Sequence, residues 1–310
     1  MADVPADAPE SCPGTASGLA GKASPCQGCP NQSICASGAA RGPDPDVVAI
    51  TQRLSSVKHV LLVLSGKGGV GKSSVTSLLA SGLAAAAGEP NVAVLDVDVC
   101  GPSQPTILGL QGEQVHQSGS GWSPVVQPRR CLRETADTWK ERPALWRQQS
   151  ANRMIKQFLR DVDWGEVDFL LVDTPPGTSD EHLSLAQYLK DCNLDGALLV
   201  TTPQEVSLQD VRKQVGFCRQ AGIPILGILE NMRGFTCPKC KVTSELFPAN
   251  TGGAAALCQE LGLPFLGSLP LDPTLAKACD EGVPFLRQFP EAPAARACTQ
   301  LVQSKAAVVQ

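Results

Sequence analysis

A glycine-rich run that follows an apolar segment constrains this chain more than any other feature. Residues 60–64 are all apolar, and residues 66–74 read Gly-Lys-Gly-Gly-Val-Gly-Lys-Ser-Ser, which matches the phosphate-loop pattern G-x-x-x-x-G-K-[ST]. Residues 73–87 are rich in Ser, Leu and Ala and predict a helix that begins at the loop. Strand, loop and helix occur in the order that a nucleoside triphosphate site requires. The alternative is a glycine-rich turn that binds no ligand.

The residue types in this run each suit a role at a triphosphate. Glycine lets backbone N–H groups point at phosphate oxygens, and the N-terminus of the following helix favours negative charge. Lys72 is expected to reach the β- and γ-phosphates as a catalytic residue, and the Ser73 hydroxyl to ligate Mg²⁺. The predicted ATP-binding residues of the run are Gly66, Lys67, Gly68, Gly69, Val70, Gly71, Lys72, Ser73 and Ser74.

Apolar segments alternate with helical ones along the rest of the chain. Further strands are predicted at residues 92–98, 167–173, 196–201, 223–230 and 265–268. Further helices are predicted at residues 47–57, 207–220 and 251–261. Continuous apolar strands of this kind belong to a parallel sheet that is covered on both faces. The pattern predicts an α/β fold with a doubly wound, mostly parallel sheet over residues 46–310.

Acidic residues end two of the predicted strands, at the edge where active groups of parallel sheets are found. Asp96 and Asp98 end one strand, and a carboxylate there can orient or deprotonate the attacking water, so Asp98 is a candidate catalytic residue. Asp173 ends another strand and is placed to hold Mg²⁺ through water, while Gly177 offers a backbone N–H to the γ-phosphate. A single acid at a strand end would suggest a helix cap, but two of them after a complete phosphate loop predict slow ATP hydrolysis.

Composition excludes several other classes of protein. The 26 basic and 30 acidic residues give a net charge of −4, which gives no attraction to nucleic acid or to an anionic membrane. The apolar runs are too short to span a membrane, and residues 1–10 lack the pattern of a secretory signal, so we expect a cytoplasmic protein. Thirteen cysteines, an odd number without an export signal, favour metal or redox chemistry over disulfides.

Four of the cysteines lie in residues 1–45, a segment rich in Ala, Pro, Gly and Ser. The segment has too few large apolar residues to form a core, and we expect a flexible extension. Its cysteines can order it only by binding something. A cluster held by the close pair Cys26 and Cys29 and by two outer ligands, Cys12 and Cys35, is one solution. An extension without a ligand is the alternative.

A separate pair, Cys237 and Cys240, is spaced C-x-x-C in a predicted loop. Two thiolates can hold a metal from one side, but a tetrahedral site needs four ligands. The other two must come from elsewhere in the chain or from a second copy on a symmetry axis. The spacing is equally compatible with zinc and with an iron–sulfur cluster. A redox pair is disfavoured, because it belongs at a helix N-terminus and none is predicted here.

Residues 126–153 fit neither strand nor helix periodicity. The stretch is strongly basic and contains two prolines. We interpret it as a solvated loop or a poorly ordered insertion, and a nucleic-acid-binding patch is the alternative.

Taken together, these segments resemble the nucleotide-binding scaffold ATPases of cytosolic iron–sulfur cluster assembly, in the Mrp/MinD-like branch of P-loop proteins. The second lysine of the loop, Lys67, is what the MinD-like, or deviant, phosphate loops carry. The likeness also covers residues 115–122, 173–182, 202–207 and 237–240, and thus nearly the whole chain. The cysteine-rich extension is similar to that of the longer eukaryotic members.

The resemblance implies roles for residues that their spacing alone leaves open. Lys67 would reach across a dimer interface to the partner's nucleotide as a catalytic residue, and Asn231 would contact adenine. The four cysteines of the extension would hold a stable [4Fe–4S] cluster. Cys237 and Cys240 would hold a labile, bridging cluster that passes to apoproteins of the cytosol and nucleus. The implied assembly is a homodimer, or a heterotetramer with a shorter paralogue.

The resemblance breaks within residues 126–153. Members of the family have an apolar strand and a Trp-Arg-Gly-Pro turn there, of which this chain keeps only Trp146 and Arg147. Losing a strand removes buried apolar area and leaves backbone groups unpaired. We therefore expect this stretch to be irregular, and cluster binding or dimerisation to be impaired.

Two other functions stay open at the level of the sequence. A regulatory partitioning ATPase of the MinD kind, with zinc as a structural staple, predicts an amphipathic membrane helix at the C-terminus. Residues 296–310 lack a strong basic and apolar pattern of that kind. An ATP-dependent reductase that uses the cluster for electron transfer would need a substrate pocket, which the sequence does not indicate. The scaffold ATPase is the leading hypothesis.

Overall fold

A computed structural model of the chain describes residues 8–9, 11–14, 17–36, 44–99, 101–119, 121–126, 132–134, 148–237, 240 and 242–305. The chain divides into two compact units, residues 1–49 and residues 50–310. In the first unit a short 3₁₀ turn, Ser24–Cys26, precedes the one-turn helix α1. Among the described residues of this unit, the buried side chains are small, such as those of Ala20 and Cys26.

The described helices are Gln32–Ala36 (α1), Pro45–Arg53 (α2), Lys72–Ala84 (α3), Gln104–Ile107 (α4), Gln148–Asp161 (α5), Asp180–Tyr188 (α6), Glu205–Ala221 (α7), Gly253–Leu261 (α8), Pro273–Asp280 (α9), Phe285–Gln288 (α10) and Pro293–Lys305 (α11). The described strands are Val57–Ser65 (β1), Val92–Asp96 (β2), His116–Ser118 (β3), Gly121–Ser123 (β4), Val125–Val126 (β5), Leu132–Glu134 (β6), Val167–Asp173 (β7), Leu194–Thr201 (β8), Ile225–Glu230 (β9), Phe235–Thr236 (β10), Thr243–Ser244 (β11) and Phe265–Ser268 (β12). Of these helices, none is long and apolar enough to cross a membrane.

Eight strands form one sheet in the order β12-β9-β8-β1-β7-β2-β6-β5. Every neighbouring pair is parallel except β5 and β6, which are antiparallel. The sheet grows in both directions from β1, so the expected doubly wound, mostly parallel architecture is confirmed. The phosphate loop follows the central strand, at the carboxyl edge where such sheets bind ligands.

Two apolar clusters cover the two faces of the sheet, and the alternation of side chains along β1 and β7 separates them. In β1, Leu62 and Leu64 belong to one cluster and Val63 to the other. In β7, Leu170 lies on the first face and Leu171 on the second. Each buried side chain of this size contributes about 1.5–3 kcal/mol. Helices α5 to α8 pack on the first face, and α3, α9, α10 and α11 pack on the second.

The expectation of an irregular stretch at 126–153 is wrong for its described part. Leu132–Glu134 form β6, which pairs in parallel with β2 and antiparallel with β5. Helix α5 begins at Gln148, inside the same stretch. The physical reason is that the open edge of β2 offers unpaired backbone groups, which a short segment can bond whatever its side chains are. Residues 127–131 and 135–147 lie outside the described residues.

Candidate functional site

The glycine-rich run forms a phosphate loop between β1 and α3. Gly69 and Gly71 both have a φ of 81°, in the left-handed region that favours glycine. The loop lines a cavity of about 280 Å³. Four residues from other segments complete the walls of this cavity: Asp98, Ser103, Ile107 and Pro176. All nine predicted loop residues except Gly66 line it, together with Ser65.

A buried ion pair lies below the loop. The Lys72 ammonium donates to Asp173 Oδ1, and both side chains are almost completely buried. Thr76 Oγ1 also donates to Asp173 Oδ1, at 3.2 Å, and Lys72 Nζ lies 3.3 Å from Ser73 Oγ. Sequence reasoning predicted Lys72, Ser73 and Asp173 at one site, and the fold brings all three together.

Gln104, at the start of α4, is a member of this group that sequence reasoning missed. Its side chain is fully buried, and its Nε2 donates to Asp173 Oδ2 at 2.8 Å and to the Ser73 carbonyl at 3.0 Å. Gln104 lies six residues after Asp98, in a segment whose sequence indicates only a turn. No spacing rule marks a glutamine at this place, so only the fold could identify it.

The two acids after β2 have different surroundings. Asp96 is buried and accepts backbone N–H groups from Asp98, Ser103 and Gln104 at 3.0, 2.9 and 3.1 Å. Burial, reinforced by the charge of Asp173, raises the pKa of Asp96 to about 7. Asp98 is only half-buried and lines the cavity. Asp96 therefore fixes the loop that presents Asp98, and Asp98 is the one of the two acids that lines the cavity.

Gly177 differs from the sequence expectation. Its N–H donates to the Ser65 carbonyl at 2.8 Å instead of pointing into the cavity, and its carbonyl accepts from Gln214 Nε2 at 2.6 Å. Gln214 also donates to the Ser65 carbonyl, at 3.1 Å. The end of β1 thus already satisfies the Gly177 N–H, which can serve a γ-phosphate only if the segment after β7 moves.

His182 holds the same segment in place. It is buried, and its Nδ1 accepts the Ser179 N–H at 3.2 Å, at the start of α6. Burial lowers the pKa of His182 to about 4, so the ring is neutral near pH 7. This arrangement indicates a structural role for His182.

Asn231, which the resemblance marked, connects the end of β9 to the phosphate loop. Its Nδ2 donates to the Val70 carbonyl at 2.9 Å, and its backbone N–H donates to the Thr201 carbonyl at 2.7 Å. The next residue, Met232, has a φ of 61°, an unfavourable value for a side chain of this size. Asn231 therefore links the end of β9 to the phosphate loop.

The close packing of α7 against Gly66 leaves no room for a side chain at this position, which leads to a testable prediction. A Cβ built on Gly66 would lie 2.6 Å from the backbone carbon of Asp210 in α7, whereas one on Gly68 would meet only Pro176 Cγ, at 4.0 Å. We expect Gly66→Ala to lower the free energy of unfolding by about 1–3 kcal/mol, and Gly68→Ala to change it by much less. Thermal unfolding of the two variants checks this, and equal losses would contradict it.

The four cysteines of the extension converge. Cys12, Cys26, Cys29 and Cys35 line one small pocket within the first unit. Desolvation raises the pKa of Cys35, and the neighbouring thiols raise it further. Among the described residues, no three His, Cys, Asp or Glu side chains are placed to hold a single metal ion. A four-iron cluster does not require that, because each thiolate binds a different iron atom.

Cys237 and Cys240 lie at the tip of a two-stranded hairpin. Strands β10 and β11 pair antiparallel, and the Cys237 N–H donates to the Val242 carbonyl at 3.0 Å. Cys237 is half-buried and Cys240 is exposed. The segment before the hairpin is anchored by the buried Glu230, whose carboxylate binds Arg233 Nη1 at 2.8 Å. A pair at a hairpin tip is consistent with metal binding and differs from the helix N-terminus that a redox pair needs.

Comparison with known proteins agrees with this geometry. Residues 56–306 match the family model described as ParA: NUBPL iron-transfer P-loop NTPase. A nucleotide-binding protein from Archaeoglobus fulgidus, solved with ADP and with cobalt, is 36% identical, with a TM-score of 0.65 over 76% of this chain and 91% of that chain.

Two cell division ATPases share the fold. MinD from Pyrococcus furiosus has 21% identity and a TM-score of 0.59 over 81% of this chain and 99% of its own. MinD from Aquifex aeolicus has 21% identity and a TM-score of 0.57 over 80% and 97%. The family match covers the whole sheet together with the phosphate loop and the cysteine hairpin, so this chain belongs to the ParA family of P-loop ATPases, in its NUBPL iron-transfer group.

Proposed function

We propose that this ATPase is a scaffold that assembles [4Fe–4S] clusters and transfers them to apoproteins of the cytosol and nucleus. The observation that supports the proposal most is the short connection along the chain between the nucleotide site and the cysteine pair. Asn231 bonds the phosphate loop at Val70, and Cys237 follows only six residues later, at the tip of the hairpin. A change at the nucleotide therefore has a short path to the thiols, through one hydrogen bond and six residues of backbone.

The nucleotide site has the groups that MgATP hydrolysis requires. Lys72 would neutralise charge on the β- and γ-phosphates, Ser73 would ligate Mg²⁺, and Asp173 would hold it through water. Asp98, which faces the cavity, would orient the attacking water. Gly177 would join the γ-phosphate after leaving Ser65, which couples the triphosphate to the position of the segment after β7.

The metal chemistry rests on thiolates alone. The four thiols of the extension have the number and ligand type of a [4Fe–4S] site, and they share one pocket. Cys237 and Cys240 supply only half of such a set, so a second copy of the chain would supply the rest in a homodimer. When the cluster is transferred, thiolates of the recipient replace these thiolates as its ligands, and no atom changes its oxidation state.

Lys67 supports the dimer proposal. It lines the nucleotide cavity and is half-buried. We place it across the interface, on the nucleotide of the partner, and a heterotetramer with a shorter paralogue would use the same contact. The solved Archaeoglobus relative, which holds both ADP and cobalt, supports joint binding of a nucleotide and a transition metal.

A regulatory partitioning ATPase with a structural zinc site is the second candidate. The MinD fold favours it, and an exposed cysteine pair at a hairpin tip also suits zinc. A structural zinc ion would hold two subunits together permanently, whereas a scaffold must release its metal cluster.

A transfer assay tests the proposal. The intact protein is reconstituted with iron and sulfide without oxygen, and an apo-enzyme that needs a [4Fe–4S] cluster is added with MgATP. We expect recovery of the recipient's activity faster than from free iron and sulfide, and slower recovery with a Cys237→Ala/Cys240→Ala variant. Equal rates for the two proteins would contradict the scaffold role.

A further inference from the structure

The two polar atoms of the Gln104 carboxamide differ in their hydrogen bonding. Nε2 has two acceptors, whereas Oε1 has no donor among the described residues. Nε2 lies against two acceptors, Asp173 Oδ2 and the Ser73 carbonyl, so the orientation of the amide is fixed by its partners. Oε1 must then point the other way. It is completely buried, and the described residues give it no hydrogen-bond donor.

An unpartnered buried acceptor is energetically unfavourable and requires an explanation. Both partners of Nε2 belong to residues that would handle the magnesium ion: Ser73 by its hydroxyl and Asp173 through water. Water bound to Mg²⁺ is polarised and is a strong hydrogen-bond donor. It is the donor chemistry that this position lacks.

We propose that Gln104 is a positioning residue for the magnesium of the nucleotide site. Nε2 holds the Asp173 carboxylate in place, and Oε1 accepts a hydrogen bond from a magnesium-bound water. An apolar residue here would leave Asp173 Oδ2 without this donor and the magnesium water without this acceptor. The inference rests on the proposed binding of magnesium nucleotide, but not on the cysteines or on cluster transfer.

The backbone of Gln104 extends this role to the catalytic loop. Its N–H donates to Asp96 Oδ2 at 3.1 Å, and Asp96 also accepts the N–H of Asp98 at 3.0 Å. One residue thus links the magnesium carboxylate to the loop that presents Asp98. Magnesium binding would therefore order the catalytic acid as well as the phosphates.

The test uses Gln104→Met, which keeps the length and volume of the side chain. A fluorescent ADP analogue is titrated at fixed protein while Mg²⁺ is varied, and again with Mg²⁺ chelated. We expect about 10–100-fold more Mg²⁺ to be needed for tight binding, because groups around a metal site typically have effects of this size. Affinity for the analogue without Mg²⁺ should be unchanged.

Gln214→Met is the matched control. Gln214 is also buried, donates from Nε2 to two carbonyls and has an unpartnered Oε1, but it does not contact Ser73 or Asp173. We expect its Mg²⁺ requirement with ADP to equal that of the unaltered protein. ADP is used because it has no γ-phosphate, so the contact between Gln214 and Gly177 does not affect its binding.

The possible results distinguish a role at the magnesium site from a purely structural role. An unchanged Mg²⁺ requirement in Gln104→Met overturns the inference, as does an equal loss of affinity with and without Mg²⁺, which would show a purely structural role. Gln104→Leu repeats the test if the methionine variant does not fold. If the unaltered protein binds ADP with no dependence on Mg²⁺, the inference also fails, whereas a failed transfer assay leaves it standing.

Discussion

Replacing Lys72 with alanine is expected to lower ATP hydrolysis by at least about 100-fold, the size of effect seen when one preorganised charge-stabilising group is removed. The Lys72 ammonium is the buried cation at the base of the nucleotide cavity, and it is held there by Asp173. In the proposed mechanism, its loss removes the group that would neutralise charge on the transferring phosphoryl group. The measurement is phosphate release at saturating MgATP.

The same change should also destabilise the fold. Removing one partner of a buried ion pair leaves the other charge uncompensated, at a cost of about 3–5 kcal/mol. A Lys72→Met/Asp173→Asn double variant should recover much of this stability and none of the hydrolysis. Lys213→Ala, which removes an exposed lysine paired with Asp210, serves as the control and should change neither quantity. If Lys72→Ala kept most of its activity, the nucleotide chemistry proposed here would be wrong.

The second large effect is expected from the Cys237→Ala/Cys240→Ala variant. After anaerobic reconstitution it should contain about four fewer iron and four fewer sulfide atoms per dimer than the unaltered protein, because one cluster with four thiolate ligands is lost. The cluster of the extension should remain. Iron and acid-labile sulfide are measured chemically, and the mass of the assembly is measured by light scattering.

Cys192→Ala is the matched control for that experiment. Cys192 is a half-buried thiol that follows the end of α6, and its Sγ donates to the Tyr188 carbonyl at 3.6 Å. It lies far from the hairpin in sequence. It should keep the full iron content. A hairpin variant that retains all of its iron would exclude Cys237 and Cys240 as cluster ligands.

Much of the sheet could be predicted from the sequence, because its strands are uninterrupted apolar runs. Strand β7 was predicted at residues 167–173 and β12 at 265–268, and both bounds are confirmed. The central strand β7 buries side chains on both faces, which leaves little choice of register, whereas the edge strand β12 is partly exposed. The predicted end of β2 at residue 98 was too late by two residues, because Asp96 turns its carboxylate to the following N–H groups.

Short elements were less accessible to sequence reasoning. Strand β6 has three residues, Leu132–Glu134, and forms because β2 offers an edge, not because its sequence has a strand pattern. Sequence reasoning could place Lys72, Ser73 and Asp173 at the site from their motifs. It could not find Gln104 or the bond from the Gly177 N–H to Ser65, since both depend on how separate segments meet.

The most direct test of the central claim is the metal content of the intact protein. Iron, acid-labile sulfide and zinc are measured per chain after anaerobic reconstitution. The scaffold proposal predicts iron and sulfide in equal amounts, about twelve of each per dimer from two clusters in the extensions and one bridging cluster. Stoichiometric zinc without sulfide would contradict it and leave a P-loop ATPase with a structural metal site.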